Sequence, residues 1–539
     1  MKTGNFKRFG VMLDVSRNGA MKVSKIKHLI DCIAKIGYNS FSLYMEDMFE
    51  PEGEPYFGYL RGRYSKEELT EVVRYADSLG IEVFPRIEVL GHFTNLVRHP
   101  AYAEIVDCDD VLLIGDQRTY NLIDKMFKFI SEVFTSRAVC ASIDEAFMLG
   151  RGRYMNINGC RDRFDIISEH VNKVTEIAQK YGLTPVYCLD MYYTLAGTDH
   201  YDVNAVLPQR AIDSFPKNAS VEHWDYYNKN KAVYDKLFAD HKKFSDDVWF
   251  TGGAWTWNGY IPETTQTLDT MRAAMQSVIE NKINSVVITM WGDNGAECSP
   301  FTVLHLLYAI RQFGYGNFDM DSIKQGFFDM FGYRFDDFAT LELPNRIDRV
   351  PDNFKCKHYL VPQSPTKNLL FSDPFLGWTD AAVRNGLEIA YDEHTGVITD
   401  AKSRAGEYAY AFDVVEKVSS VMELKMHLGI KTREAYLAND RNALSELLRV
   451  YGELAERVDS LHKSARTRWF EEYKGHGWEV HDIRLGGLKT RILSCKERLS
   501  DYIDGRIDRI EELEDEVIEY ANNDLSDYVY RRMPTMCDL

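Results

Sequence analysis

Carboxylates, aromatic rings, one histidine and one arginine follow short apolar runs in the first 315 residues. The set is Asp14, Arg17, Glu46, Asp47, His92, Asp144, Glu145, Asp190, Trp224, Asp225, Tyr226, Tyr227, Trp255, Trp257, Trp291, Asp293 and Glu297. Carboxylates and arginine bind sugar hydroxyls, and indole faces pack on the CH faces of a sugar ring. The set therefore predicts a carbohydrate pocket. Because a single aspartate at a strand end is usually a cap or turn former, this prediction depends on the whole set.

The adjacent carboxylates Asp144 and Glu145 are the strongest candidates for acid–base chemistry. Neighbouring residues on a strand point to opposite faces, so we do not expect them to flank a glycosidic bond as two carboxyls about 5 Å apart. The nucleophile therefore comes from elsewhere. In substrate-assisted glycosidases it is a 2-acetamido oxygen of the substrate, and the protein supplies only acid and support.

These side chains must be positioned by the apolar runs that precede them, which we interpret as eight buried strands. The runs are 9–14, 40–46, 82–88, 138–144, 184–190, 220–225, 248–255 and 285–291. Amphipathic helices are predicted between them. One begins with a capping box at Ser65 and Glu68, buries apolar residues as far as Leu79 and ends at Gly80, and another runs from Val23 to a stop at Gly37.

Eight alternating strands and helices in little more than 300 residues predict a closed (β/α)8 TIM barrel, with its active site at the carboxyl ends of the strands. An open doubly wound sheet is the alternative. We disfavour it because no GxGxxG follows the first strand and no GxxxxGK[ST] occurs in the chain. We assign residues 1–335 to the barrel and 336–539 to a linker and an all-α C-terminal domain.

Long helical patterns at 403–428, 431–464 and 484–521 predict an antiparallel bundle after the barrel. The last pattern places apolar residues from Ile503 to Val517 at helical spacing. We interpret the segment 477–491 as too irregular for a bundle helix and expect an inter-helix turn there.

Charge and cysteine usage exclude several classes of protein. Lys and Arg total 64 against 82 Asp and Glu, a net charge of −18, which disfavours nucleic acid and anionic membranes as partners. The chain start has no apolar secretion-signal core and no run is long enough to span a bilayer, so we expect a cytoplasmic protein. The nine cysteines are scattered without a CxxC pair, which argues against disulfides and a zinc site.

Eight motifs together resemble the family 20 glycoside hydrolases, the β-N-acetylhexosaminidases. The motifs are GVMLDVSRN at 10–18, LYMED at 43–47, PYFGYLRGRY at 55–64, LGH at 90–92, IDEA at 143–146, WDYY at 224–227, GGAWTW at 252–257 and WGDNGAE at 291–297. The resemblance is strongest to the GcnA-like branch, in which a helical domain follows the barrel, and DIRLGG at 482–487 also matches that branch.

The resemblance implies an exo-acting, retaining hydrolase of terminal β-linked GlcNAc, with GalNAc as a second candidate sugar and no metal or cofactor. Glu145 matches the general acid and base, and Asp144 matches the partner that orients the acetamido N–H. Arg17 would bind the 3- and 4-hydroxyls and Asp293 the 4- or 6-hydroxyl. The remaining candidates for substrate binding are Asp47, His92, His223, Trp224, Asp225, Tyr227, Trp255, Trp257 and Trp291.

Two positions depart from the family pattern. His223 stands where the family usually has a tyrosine that hydrogen-bonds the acetamido carbonyl, so either His223 or a tyrosine at 226 or 227 would make this contact. Cys188 stands where a tryptophan is expected, which predicts a more open acetyl pocket.

Two other classes of protein stay open on the sequence alone. Glu46, His92, Asp144, Asp190, Asp225 and Asp293 could surround a divalent cation, as in a metal-dependent sugar isomerase or lyase. A non-catalytic sugar-binding barrel is the other alternative. The expected partner is a small glycan, and the additional helical domain suggests a homodimer without identifying its interface.

Overall fold

The computed structural model describes residues 6–293, 295–349, 364–518, 530 and 534–535. Eight parallel strands close into a barrel in the order β1-β8-β7-β6-β5-β4-β3-β2. The strands are β1 Arg8–Asp14, β2 Ser40–Met45, β3 Glu82–Glu88, β4 Ala138–Ser142, β5 Thr184–Cys188, β6 Ser220–Trp224, β7 Val248–Gly253 and β8 Ser285–Met290. The predicted TIM barrel is confirmed.

The barrel interior is filled by alternate residues of each strand, as the period of two requires. An apolar cluster there includes Tyr44, Phe84 and Trp249, and Phe84 and Trp249 meet edge to face at 5.5 Å. Above this cluster, Arg86 of β3 donates to both carboxylate oxygens of Glu222 of β6, at 2.7 and 2.5 Å. This buried ion pair crosses the barrel, because two other strands separate β3 from β6 in the sheet.

Helices connect the strands. They are α1 Val23–Ile36, α2 Lys66–Ser78, α3 Thr94–Val97, α4 Gln117–Val133, α5 Arg153–Asn158, α6 Arg163–Lys180, α7 Asp190–Leu195, α8 Gln209–Asp213, α9 Lys231–His241, α10 Thr264–Glu280 and α11 Leu304–Gly314. A short hairpin, Val106–Cys108 with Val111–Leu112, lies between α3 and α4. Only the two short helices α7 and α8 lie between β5 and β6 in the described structure.

The predicted helix boundaries at both ends of α1 and α2 are accurate. Gly37 adopts φ +100° and ends α1, and the capping box at Ser65 and Glu68 is present. Leu79 is the exception, since it is 44% exposed instead of buried. It is the C-cap of α2, one residue after the last helical residue, and the buried face of the helix ends at Ala76.

The chain forms two compact units. The first comprises residues up to Ala254 together with Gln266–Trp291 and Leu306–Ile323. The second comprises Trp255–Thr265, Gly292–His305 and residues from Lys324 onward. Its helices are α12 Met320–Phe331, which begins in the first unit, α13 Phe335–Ala339, α14 Pro365–Phe371, α15 Asp380–Arg384, α16 Tyr391–Lys402, α17 Ala409–Lys425, α18 Leu428–Leu437, α19 Arg441–Glu472, α20 Trp478–Ile503 and α21 Glu511–Glu514.

Successive packing of α16 on α17, α17 on α19 and α19 on α20 gives the second unit its helical core. Three predictions were wrong here. The pattern 431–464 covers two helices, α18 and α19, which are separated at Asn439 with φ +52°. The segment 477–491 is the first half of α20 instead of a turn, because Gly477 at φ +90° starts the helix and Trp478, His481 and Leu485 bury one face. The predicted helix 484–521 ends at Ile503, before Gly505 at φ +72°; its last residues, 519–521, lie outside the described residues.

Among the described residues, no helix is long and apolar enough to cross a membrane. No disulfide joins the described cysteines.

The ion pair across the barrel gives a test of the fold. Replacing Arg86 by Met leaves the Glu222 carboxylate buried without its cation, and we expect the free energy of unfolding to fall by about 3–5 kcal/mol. Denaturant unfolding measures this loss. The control is Lys66→Met, which removes one partner of the exposed pair Lys66–Glu132 and should leave stability almost unchanged. A double variant, Arg86→Met with Glu222→Leu, should recover most of the loss; an unchanged single variant would contradict the role of the pair.

Candidate active site

Arg17 is fixed by a turn at the carboxyl end of β1. The Asp14 carboxylate accepts hydrogen bonds from the backbone N–H groups of Ser16 at 2.9 Å and Arg17 at 3.1 Å. The Arg17 guanidinium then lies 3.5 Å from Asp14 and 3.6 Å from Glu46. The turn thus presents a cation at the barrel end where catalytic groups are expected.

The same guanidinium packs against two aromatic rings, those of Tyr44 at 5.0 Å and Trp291 at 4.7 Å. Ion pairing and ring contacts together leave Arg17 little freedom. The predicted Arg17 and Trp291 are therefore neighbours in the structure.

Glu46 and Asp47 follow β2 and are both buried. The Ser16 hydroxyl accepts from the Glu46 backbone N–H at 2.8 Å, and Arg61 donates to the Asp47 carboxylate. Burial is the main cause that raises the pKa of Glu46, while Arg17 opposes it. Asp47 forms an ion pair with Arg61, which lies in the loop after β2 and belongs to the motif PYFGYLRGRY.

Asp144, Glu145 and His92 come together beyond β3 and β4. His92 Nε2 lies 3.4 Å from Asp144 Oδ2 and 3.5 Å from Glu145 Oε2. The Asp144 side chain is 20% exposed and that of Glu145 is 45% exposed. His92 and Glu145 both have positive φ, at +57° and +52°, a left-handed conformation that costs a non-glycine residue about 1–3 kcal/mol. Such strain is typical of functional sites.

The charge state of this group is set by His92. Burial opposes ionisation, but the contact with His92 lowers the pKa of Asp144 to about 2. Conversely, burial favours the neutral imidazole, but Asp144 raises the pKa of His92 well above its ordinary value. An ionised Asp144 beside an imidazolium is therefore the stable state near neutral pH.

Asp190, the first residue of α7, holds the strained turn at Glu145. Its Oδ2 accepts a hydrogen bond from the Glu145 backbone N–H at 2.9 Å, while its Oδ1 is buried without a hydrogen-bond partner. Cys188 Sγ donates to Asp144 Oδ1 at 3.7 Å. Burial, and then the charge of Asp144, raise the pKa of Asp190 to about 7. The sequence places Asp190 at the end of a strand but does not predict that it restrains the backbone of Glu145.

Glu88 is a functional candidate that sequence reasoning missed. It is the last residue of β3, fully buried, and neither of its carboxylate oxygens has a hydrogen-bond partner. Burial and the charge of Asp144 raise its pKa well above the ordinary value. A signal was available, because Glu88 lies two residues after Arg86 and so faces the barrel interior like that arginine.

His223 and Asp225 have a different environment. Since Glu222 points into the barrel, His223 points outward, where its ring lies 5.9 Å from Phe238 and 4.9 Å from His241 of α9. Asp225 Oδ2 lies 3.8 Å from His223 Nε2, and Asp225 Oδ1 accepts from the Tyr227 backbone N–H at 2.8 Å. Burial opposes ionisation, but His223 lowers the pKa of Asp225. Substrate binding by His223 and Asp225 stays a prediction.

Aromatic rings form a wall at the ends of β6 and β8. Trp224 stacks on Tyr226 with ring centres 5.5 Å apart, and Trp291 Nε1 donates to the Tyr226 hydroxyl at 2.9 Å. His200, which was not predicted, packs on Trp224 at 4.0 Å. Burial, and then His223, lower the pKa of His200 to about 3, so its ring is neutral.

A further ring extends this wall. Tyr227, another predicted contact, meets Tyr201 edge to face at 5.6 Å. Tyr201, like His200, lies in the loop between α7 and α8 and was not predicted from the sequence.

Trp255, Trp257, Asp293 and Glu297 belong to the second unit. The two indoles stack on each other at 4.4 Å and are buried. Their predicted substrate contacts, and that of Asp293, stay predictions.

Glu297 is part of a buried charge cluster in the second unit. Its carboxylate lies 2.5 Å from Lys367 Nζ and 3.0 Å from Arg484 Nη1, and Arg468 donates to its backbone carbonyl at 3.0 Å. Burial opposes ionisation, but Lys367 and Arg484 lower the pKa of Glu297. These contacts give Glu297 a structural role within the second unit.

In the described parts of the chain, no three His, Cys, Asp or Glu side chains converge as a set of metal ligands. The acidic side chains of the barrel end instead contact cations of the protein itself, Asp47 through Arg61 and Asp144 through His92.

Two family models match the chain. The catalytic domain of glycosyl hydrolase family 20 matches residues 57–242, and the glycoside hydrolase 20C C-terminal domain matches residues 336–530. The first range includes the barrel end that holds His92, Asp144, Glu145 and Asp190. Both models describe domains of glycoside hydrolases. The chain belongs to glycoside hydrolase family 20, and the second match agrees with a branch that carries a helical C-terminal domain.

Individual relatives are distant. Hexosaminidase D from Bos taurus is 25% identical over 135 residues, 24% of this chain and 39% of that protein. A beta-hexosaminidase from Porphyromonas gingivalis is 26% identical over 219 residues, 32% of this chain and 26% of that protein. A solved GH20 beta-N-acetylhexosaminidase from Streptomyces coelicolor aligns with a TM-score of 0.44 and 19% identity, over 61% of this chain and 70% of that one. The chain thus spans less than two fifths of either curated relative.

The hydrogen bond from Glu145 N–H to Asp190 gives a test of the site. Asp190→Ala removes the acceptor that holds the left-handed turn, so we expect kcat to fall about a hundredfold as the Glu145 carboxyl moves. Asp190→Asn keeps an oxygen acceptor in place and should lose no more than about tenfold. Rates of glycoside hydrolysis, with melting temperatures to confirm folding, measure both. Equal losses for Asn and Ala would contradict the positioning role.

Proposed function

We propose that this chain is an exo-acting β-N-acetylhexosaminidase that removes terminal β-linked GlcNAc, with GalNAc as a second sugar, from short glycans. In this proposal the reaction retains configuration and uses the 2-acetamido group of the substrate as nucleophile. Membership of family 20 supports the class of reaction, and the barrel-end geometry supports the mechanism.

The observation that carries the proposal is the pairing of an ionised, partly buried Asp144 with the half-exposed Glu145, with His92 in contact with both. An ionised carboxylate suits the partner of a positively charged intermediate. A neighbouring carboxyl that reaches solvent suits a group that exchanges a proton with the leaving group and then with water.

In the first step the acetamido carbonyl oxygen attacks C1, the glycosidic bond breaks, and Glu145 gives its proton to the departing oxygen. The substrate becomes a cyclic oxazolinium ion, and the Asp144 carboxylate stabilises its N–H and positive charge. In the second step Glu145 takes a proton from water, whose oxygen attacks C1 and opens the ring. The product keeps the β configuration because C1 is inverted twice.

Sugar recognition is assigned to the groups around this pair. The guanidinium of Arg17, restrained by Asp14, Tyr44 and Trp291, is positioned to donate to the 3- and 4-hydroxyls. The wall of Trp224 and Tyr226 offers a face for the ring or the acetyl group, which supports Tyr226 as a substitute for the family tyrosine. Asp293 is assigned to the 4- or 6-hydroxyl by the resemblance alone.

We further propose a cytoplasmic location, which restricts the natural substrates to imported or internally produced short glycans. No metal or cofactor takes part in the proposed reaction, and a homodimer is the proposed assembly.

The decisive experiment compares initial rates on an aryl 2-acetamido-2-deoxy-β-glucoside and the matching aryl β-glucoside, with chelator present. We expect rapid release from the acetamido sugar alone. Equal release from both would overturn substrate assistance. No release from either would favour the sugar-binding or metal-dependent alternatives.

A second prediction concerns Glu145 as the acid. In Glu145→Gln, hydrolysis of glycosides with poor leaving groups should slow by at least about a hundredfold more than that of dinitrophenyl glycosides, because only a poor leaving group needs the proton. Michaelis–Menten kinetics across a leaving-group series measure this. Glu176→Gln, on the exposed face of α6, is the control. A loss independent of the leaving group would contradict the assignment.

A further inference from the structure

Two large apolar side chains follow Glu145 in the sequence after one alanine, and both are exposed to solvent. Phe147 is 55% exposed and Met148 is 44% exposed. A single exposed apolar residue needs no explanation. Two consecutive ones close in sequence to Glu145, the proposed acid, form an apolar patch next to the candidate active site.

The segment that carries these two residues is held firmly. Asp107 accepts hydrogen bonds from the backbone N–H groups of Gly150 at 2.8 Å and Tyr154 at 2.7 Å. Arg163 donates to the carbonyl oxygen of Phe147 at 2.5 Å and to that of Leu149 at 2.9 Å. Because the backbone on both sides of Met148 is anchored, the exposure of Phe147 and Met148 is a feature of the fold.

The chain itself limits how far these side chains are from the reacting bond. Consecutive Cα atoms are about 3.8 Å apart, so the Cα of Phe147 lies within about 7.6 Å of that of Glu145. The oxygen that receives a proton from Glu145 must come within hydrogen-bond distance of its carboxyl group. The part of the substrate attached to that oxygen is the aglycone, and it therefore begins close to the segment that carries Phe147 and Met148.

We propose that Phe147 and Met148 form an aglycone platform that selects GlcNAc glycosides with an apolar face next to the glycosidic oxygen. That face is either an alkyl or aryl group or the CH face of a further sugar. A phenyl ring and a flexible thioether suit both, since each offers apolar contact without demanding a fixed hydrogen-bond pattern. The inference rests on the proposed function, because it requires Glu145 to be the acid.

The test uses the full-length enzyme and the double variant Phe147→Ser with Met148→Ser. The substrates are methyl and octyl β-glycosides of GlcNAc and N,N′-diacetylchitobiose, with released GlcNAc as the readout. Methanol and octanol are similarly poor leaving groups, so the octyl and methyl glycosides differ mainly in apolar contact. We expect kcat/KM for the octyl glycoside to fall about tenfold in the variant, and that for the methyl glycoside less than about twofold.

The disaccharide distinguishes the two sources of the apolar face. A loss for chitobiose that parallels the octyl glycoside supports a sugar as the natural aglycone, and a loss for the octyl glycoside alone supports an alkyl or aryl group. The matched control is Leu79→Ser, which has the same 44% exposure as Met148 but lies where α2 leads into the start of β3, at the opposite end of the barrel. Leu79→Ser should change neither the octyl-to-methyl nor the chitobiose-to-methyl ratio of kcat/KM.

Three results would overturn the platform. Equal losses for methyl and octyl glycosides would show a general effect on catalysis. A change from dimer to monomer in light scattering, with an unchanged octyl-to-methyl ratio, would show that the patch binds a second copy. If the unaltered enzyme hydrolysed none of the glycosides, the proposed function itself would fail, which is distinct from hydrolysis with equal losses.

Discussion

The arrangement of this site depends on how negative charge is distributed at one end of the barrel. Asp190 and Glu88 are buried there, the Asp144 side chain is only 20% exposed, and ionised carboxylates this close together repel one another strongly in a medium of low polarity. The contact with His92 lowers the pKa of Asp144, so this carboxylate carries the charge. Burial, and then the charge of Asp144, raise the pKa values of Asp190 and Glu88. The protein thus concentrates its anion at the position where a positive intermediate is proposed to form.

The second constraint is backbone strain at the same place. Both His92 and Glu145 are in the left-handed region, and they contact each other through their side chains. The Asp190 carboxyl restrains the Glu145 peptide, while burial and then the charge of Asp144 raise its own pKa. Electrostatics and conformation are therefore coupled through Asp190, since its carboxyl group responds to the charge of Asp144 and restrains the backbone of Glu145.

Buried charge has another role in the second unit. The pairs that Glu297 makes with Lys367 and Arg484 satisfy a buried carboxylate almost completely, which leaves it unsuited to attack a substrate. In the barrel, Arg86 and Glu222 serve similarly as a stabilising layer beneath the site. By contrast, Glu88 and Asp190 retain buried oxygens without hydrogen bonds, and this separates them from Glu222 and Glu297.

The sequence by itself determined the barrel, the limits of α1 and α2, and the position of Asp144 and Glu145 at a strand end, because these follow from local periodicity, capping residues and short motifs. It could not assign the partners of those residues. That Asp190 would restrain Glu145, that His223 would turn toward α9, and that 477–491 would be helical depended on contacts between distant segments. Only the tertiary structure decided them, since a side chain's burial and pKa are set by whatever the fold brings beside it.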